Sequence, residues 1–155
     1  MVQRPEVFFI VKGSSEGDTA LNIFDNCLIS AGISDVNLVK VSSIVPPGCE
    51  KVSWVEIPAG SIVPIAYAFR FSDMRGELIS AAIAVAIPEN TDEAGLIMEY
   101  SAATTLEEAK RVVVGMAEKG FKNRNRKLKE IYVDGVEHRV QDKGGVFAGV
   151  VLWYK

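Results

Sequence analysis

Two adjacent serines, Ser42 and Ser43, close an apolar, alternating stretch and directly precede Ile44-Val45-Pro46-Pro47. A serine pair at such a place can support one unusual reaction. The Oγ of Ser43 attacks the carbonyl carbon of Ser42 and turns the amide into an ester. Elimination then splits the chain and leaves dehydroalanine, which hydrolyses to a pyruvoyl group. A rigid strand end suits this chemistry, because a strained backbone persists only where its surroundings over-determine it. Adjacent serines are common by chance, and read bare the pair is first an ordinary strand end.

Glu99 is a second candidate. Strand alternation puts Leu96, Met98 and Tyr100 on one face and Ile97 and Glu99 on the other, with no further charge between Ala94 and Tyr100. If both faces are covered, burial disfavours the charged carboxylate and Glu99 can keep a proton to serve as a general acid. An exposed strand-end glutamate is the plainer alternative. Asp25 follows Leu21 by four residues and precedes Leu28 by three, so it borders the apolar stripe of a helix and could clamp a cation. The Gly13–Asp18 segment, between a strand and a helix, could bind an anion. It lacks the Gly-Lys-Ser/Thr ending of a phosphate loop and does not match GxGxxG.

Other chemistries find no support. The single histidine, His138, sits between Glu137 and Arg139 in an alternating segment and reads as a strand-edge residue rather than a triad member. Cys27 and Cys49 show no metal-ligand spacing, so neither a metal site nor a disulfide framework is expected. Seventeen basic against twenty acidic residues give no electrostatic reason to expect nucleic acid or anionic lipid as a partner. The basic run Lys119 to Lys129 reads as a solvated helix end and loop. No segment approaches the roughly 18 apolar residues of a membrane span, and the start lacks a signal-peptide pattern. A soluble, cytoplasmic chain is expected.

The elements that must position these residues follow from period and punctuation. With 155 residues the chain fits one domain. Val7–Lys12 reads as a strand and Gly13–Gly17 as a loop. A helix follows, capped by Asp18 or Thr19, with Leu21, Phe24, Leu28 and Ala31 as its buried stripe and Gly32 as its stop. Asp35–Ile44 alternates as one strand ending near Ser43, where the proline pair stops it. Ile62–Phe71 and Leu78–Ile87 read as a hairpin, and Ala94–Tyr100 as a further strand. Thr105 and Glu108 form a capping box that opens a helix to about Gly120, its stripe Leu106, Ala109, Val113 and Met116. Leu128–Arg139 and Val146–Trp153 close the chain around a turn at Asp142–Gly145. The expected fold is α+β, a mainly antiparallel sheet assembly covered by helices.

Taken together, these residues resemble the archaeal family of pyruvoyl-dependent arginine decarboxylases. The resemblance is carried by GSSEGDTALNIFDNCLISAGISDVNLVKVSSIVPP (Gly13–Pro47), ELISAAIAVAIPEN (Glu77–Asn90), GLIMEY (Gly95–Tyr100) and LWYK (Leu152–Lys155). It implies a multilayer αββα sandwich and cleavage after Ser42, giving fragments 1–42 and 43–155. Ser43 would become a covalently bound pyruvoyl group, so that neither metal nor pyridoxal phosphate is needed. It further implies that Asn37 assists processing and that Glu99 donates the proton to the substrate carbon. Asp25 would meet the arginine guanidinium, with Leu28 and Val36 beside it. Ser34 departs from the glycine expected at its position. The product would be agmatine, a polyamine precursor, and the assembly a homotrimer.

If Asn37 and Ser43 shared one extended strand, about 20 Å would separate them at roughly 3.3 Å per residue. That spacing leads to the expectation that Asn37 and Asp25 serve the Ser43 of a neighbouring subunit. Two alternatives stay open at this point, a decarboxylase of another basic amino acid and an unprocessed trimeric binding protein.

Overall fold

The computed structural model describes residues 3–155; Met1 and Val2 lie outside the described residues. Nine strands and two helices follow one another as β1 (Val7–Glu16), α1 (Ala20–Ala31), β2 (Asn37–Lys40), β3 (Ile44–Val45), β4 (Glu50–Lys51), β5 (Ile62–Ser72), β6 (Leu78–Pro88), β7 (Gly95–Ala102), α2 (Leu106–Asn123), β8 (Leu128–Arg139) and β9 (Gly144–Trp153). The strands form a five-stranded sheet ordered β2-β5-β9-β1-β4 and a four-stranded sheet ordered β3-β7-β6-β8. Most pairings are antiparallel; β1 with β4 and β2 with β5 run parallel.

The expected layers follow from which side chains each strand turns inward. Phe8, Ala66, Ile79, Ile83, Val85, Ile97, Val146 and Val150 pack between the two sheets. Ile23, Cys27 and Leu28 of α1 cover the outer face of the first sheet through Phe9, Val11, Ile65 and Phe147. Ala109, Val113, Ala117 and Phe121 of α2 cover the second against Ala82, Ala84, Ala86 and Leu96. Strand β6 is therefore buried on both faces, large residues toward the inter-sheet core and alanines under the helix, where their small volume lets α2 approach.

Several boundaries differ from expectation. Strand β1 runs on through the segment read as a loop, pairing Gly13–Glu16 with Phe147–Gly144. Gly13 is small for a reason: a Cβ there would collide with the Cys27 carbonyl and Ser30 of α1. Thr19 caps α1, its hydroxyl accepting from Asn22 N–H at 3.2 Å, and Gly32 ends it at φ 80°. The buried stripe of α1 is shifted, however, because Leu21 is 76 % exposed and Ile23 takes the inward position. The stripe of α2 likewise passes through Ala117 and Phe121 rather than Met116. Only half of the expected capping box forms: Thr105 Oγ1 accepts from Glu108 N–H, while the Glu108 carboxylate turns to Arg111 and Glu137 accepts from Leu106 N–H.

The expected hairpin of β5 with β6 does not form; the two strands belong to different sheets. The connecting turn is tied instead to the residue just after β8, with Gly76 N–H donating to the Val140 carbonyl and Val140 N–H to that of Glu77. Strands β8 and β9 are parted in the same way, and Gln141 and Asp142 at their corner donate backbone N–H groups to the Glu16 carboxylate. Long alternating runs specify strands; which sheet each joins is decided by such corners. No helix is long and apolar enough to cross a membrane among the described residues.

Candidate active site

The segment read as one strand from Asp35 to Ile44 is broken, and the break makes the site. Strand β2 pairs with β5 only from Asn37 to Lys40, with one further bond from Val41 N–H to the Ile65 carbonyl. The chain then leaves the first sheet, and by Ile44 it has joined the second, opposite Leu96 of β7. Ser42 and Ser43 lie in the crossing.

Ser43 adopts φ 75°, a left-handed conformation that only it and Asn125 take among the described non-glycine residues. That conformation costs an L residue on the order of 1–2 kcal/mol. The cost is sustained by anchors on both sides: before it Val41 N–H donates to the Ile65 carbonyl, and after it Ile97 N–H donates to the Ser43 carbonyl at 2.8 Å while Ile44 and Val45 pair with Leu96 and Gly95. Pairing with Ile97 also aligns the side chains. Glu99, two residues further along β7 on the face of Ile97, is the diagonal neighbour of Ser43. The Ser43 hydroxyl donates to Glu99 Oε2 at 3.2 Å. The other carboxylate oxygen, Oε1, lies 3.5 Å from Lys40 Nζ, and the Lys40 ammonium stands 4.7 Å from the centre of the Tyr67 ring.

Ser42, Ser43 and Glu99 border a shallow cleft of about 260 Å³, walled further by Met98, Met116 and Arg124. The Glu99 side chain retains 23 % exposure. It is thus not the isolated buried acid that alternation suggested; it accepts from a hydroxyl and is ion-paired with an ammonium at once. Competing nucleophiles are poorly placed. Burial, reinforced by the Glu50 charge against a smaller opposing effect of Arg4, pushes the Cys49 thiol up to about 11. Burial also raises Cys27, whose hydrogen bond with Ser15 only partly opposes it. Neither is a thiolate near neutrality.

The remaining candidate residues stand apart from this cleft. Asn37 begins β2 and donates from Nδ2 to the Gly60 carbonyl at 3.0 Å. Because β2 has only four residues, the assumed single extended strand from Asn37 to Ser43 does not exist. Asp25 is exposed on α1, and Leu28 is 6 % exposed within the core beneath it. Val36 lines a separate hollow of about 330 Å³ beside Ser34, Trp54 and Pro58, which shares no lining residue with the Ser43 cleft. One chain thus unites Ser42, Ser43 and Glu99 but does not bring Asp25, Leu28, Val36 or Asn37 to them. Sequence reasoning missed Lys40, Tyr67 and Met116. The available signal for Lys40 was a lone cation in the apolar run Leu38–Val41.

Comparison with known proteins bears on the family of the chain. A family model described as pyruvoyl-dependent arginine decarboxylase matches residues 7–152. The pyruvoyl-dependent arginine decarboxylase of Methanocaldococcus jannaschii is 48% identical over 151 residues, covering 97% of this chain and 92% of that protein. Those of Methanococcus aeolicus and Pyrococcus abyssi are 44% and 43% identical, each over 97% of this chain and over 92% and 96% of their own lengths. Among solved structures, a pyruvoyl-dependent histidine decarboxylase at pH 8 matches at a TM-score of 0.48 and 15% identity, covering 64% of this chain and 52% of that one. By its sequence, over nearly its whole length, the chain belongs to the pyruvoyl-dependent arginine decarboxylase family.

Proposed function

We propose that this chain cleaves itself between Ser42 and Ser43 and that the resulting enzyme decarboxylates arginine to agmatine and CO₂. The observation that carries the reading is the strained Ser43, anchored by Ile97 and Ile44, with its hydroxyl on the Glu99 carboxylate. In the first step Glu99 accepts the Ser43 hydroxyl proton as Oγ bonds to the Ser42 carbonyl carbon. The Ser42–Ser43 amide bond breaks, its nitrogen takes up a proton, and an ester links the two residues. Loss of the Ser43 α-proton then expels the Ser42 carboxylate, so residues 1–42 leave with a new C-terminus. Water replaces the nitrogen at residue 43, ammonia departs, and a pyruvoyl group heads the 43–155 fragment. The left-handed turn at Ser43 suits this sequence, since part of the strain of the intact chain is released when the amide breaks.

Once formed, the pyruvoyl group supplies a ketone that takes the substrate α-amine and draws off the electrons freed as CO₂ leaves. The protein does the rest. Glu99, beside the position of Ser43, returns a proton to the substrate α-carbon. Asp25 binds the guanidinium, with Leu28, Val36 and Asn37 shaping that part of the site. As none of these four lies at the Ser43 cleft of its own chain, the reading includes a homotrimer whose sites join two subunits. Two half-open edges favour a neighbour beside the cleft: beyond Ile65 in β5 and Ile97 in β7, neither strand has a partner strand on its outer side among the described residues.

Intact-mass spectrometry of the purified chain, followed by CO₂ release from labelled arginine, tests this. Two fragments parting after Ser42 and release from arginine are expected. An unsplit chain that is fully active would overturn the mechanism. Release from lysine or ornithine, but not arginine, would overturn only the substrate.

A further inference from the structure

We infer that Lys40 is a positioning residue for self-cleavage, acting through Glu99; the inference rests on the self-cleavage reading above. Lys40 is the last residue of β2, in the first sheet, while Glu99 belongs to β7, in the second. Their contact at 3.5 Å therefore bridges the same gap that Val41, Ser42 and Ser43 cross as backbone. The ammonium is placed from below as well as from the side. It stands 4.7 Å from the Tyr67 ring centre, and that ring is fixed against Phe147 at 5.2 Å and Phe24 at 5.9 Å. A cation over a packed aromatic face has a preferred position rather than a free arc.

The consequence lies in how the two carboxylate oxygens are divided. An ammonium carries charge and donors but no acceptor, so at 3.5 Å it draws Glu99 Oε1 to its side as an ion pair. Oε2 is thereby left facing the Ser43 hydroxyl, from which it accepts at 3.2 Å. Without Lys40, a carboxyl group retaining 23 % exposure is free to rotate toward water and give up its aim. The arrangement is that of a proton acceptor, which is what the attack of Ser43 on Ser42 requires. Lys40 and Glu99 also lie on opposite sides of the scission point, so the ion pair holds the fragments together where the covalent link is cut.

The test follows self-cleavage by intact mass over time, in chains made by cell-free synthesis. Wild type, Lys40→Met, Lys40→Arg, Glu99→Gln and the Lys40→Met/Glu99→Gln double variant are compared, with circular dichroism to verify folding. Lys40 is half exposed, so each variant is expected to fold. Lys40→Met should split roughly fivefold more slowly, the size of a partly exposed charge pair, and Lys40→Arg should stay within about twofold of wild type. In the Glu99→Gln background, Lys40→Met should change the rate by less than about twofold, since a residue acting through Glu99 has nothing left to position. Undiminished splitting in Lys40→Met overturns the inference, as does an equal loss in Lys40→Arg or a full additional loss in the double variant. A wild-type chain that never splits overturns the underlying self-cleavage reading instead.

Discussion

The Ser43 hydroxyl and the Glu99 carboxylate meet at 3.2 Å although 56 positions separate them in sequence, because Ser43 pairs with Ile97 and Glu99 follows on the same face of β7. Glu99 is also ion-paired with Lys40, and in the proposed reaction it exchanges protons rather than filling space. Glu99→Gln keeps the volume and removes that capacity. CO₂ release from arginine by the split enzyme should fall on the order of a hundredfold, the usual weight of a positioned acid or base. The melting temperature should move by only a few degrees, since partly exposed ion pairs contribute little. An enzyme at wild-type rate would remove Glu99 from the reaction.

The φ of 75° at Ser43 separates two substitutions that both delete the nucleophile. Ser43→Ala keeps a Cβ in the left-handed region, while Ser43→Gly relieves it. Both chains should remain unsplit by mass. The glycine variant should be the more stable of the two by about 1 kcal/mol in urea unfolding, the strain relief being partly offset by the greater freedom of glycine when unfolded. An alanine variant more stable than the glycine one would mean that the turn relaxes without strain.

How much of this site could be read from sequence depends on which link is considered. The face of Glu99 was legible, because alternation in Gly95–Tyr100 is strict and the strand lies between a helix layer and a second sheet. The helix caps Thr19, Gly32 and Thr105 were legible for the same local reason. The break after Lys40 was not. Val41-Ser42-Ser43 continues the alternation, and only the change of sheet at Ile44, a long-range event, reveals that the strand has ended. The hairpin expected for β5 with β6 failed likewise, since adjacent strands joined by a short turn read alike whether they pair or switch sheets. Lys40 escaped notice because its partners are distant in sequence: Tyr67 lies on the neighbouring strand β5, and Glu99 meets it only across that switch.

Asn37 donates to Gly60 at one end of β2, and Ser43 lies beyond the other end, outside the hollow lined by Val36. If each active site combines Ser43 and Glu99 of one subunit with Asn37 and Asp25 of the next, defects in the two halves should complement. Trimers mixed from Asn37→Ala and Glu99→Gln chains contain some junctions where both halves are intact. Decarboxylase activity well above that of either parent is expected in verified mixed trimers. No recovery there would place the whole site within one chain.

Helix α1 offers a direct check on its corrected face. Ile23 is fully buried against Val11, Phe147 and Gly17, whereas Leu21, the residue its spacing placed inward, is 76 % exposed. In an unsplit Ser43→Ala background, Ile23→Ala should cost about 2–5 kcal/mol of stability, as burial losses of this size usually do. Leu21→Ala should stay within about 0.5 kcal/mol. Equal losses, measured by chemical unfolding, would restore the original stripe.

The corner between β8 and β9 carries the clearest pH dependence. Burial tends to raise the Glu16 carboxyl, but backbone N–H groups of Asp142 and Gln141 and the side chain of His138 outweigh it and hold the group below its ordinary value of 4.5. A carboxyl lowered by folding adds stability at pH values above its unfolded value, and that contribution disappears as pH falls through the lower, folded one. The hydrogen bonds themselves supply the sign: they are stronger to the charged form than to the protonated one. Glu16→Gln, again in the unsplit background, should therefore be less stable than its parent at pH 6, and the gap should narrow steadily below pH 4.5. Urea unfolding followed from pH 6 to pH 3 reads this directly. A gap that stays constant through that range would mean that Glu16 holds the corner through shape alone.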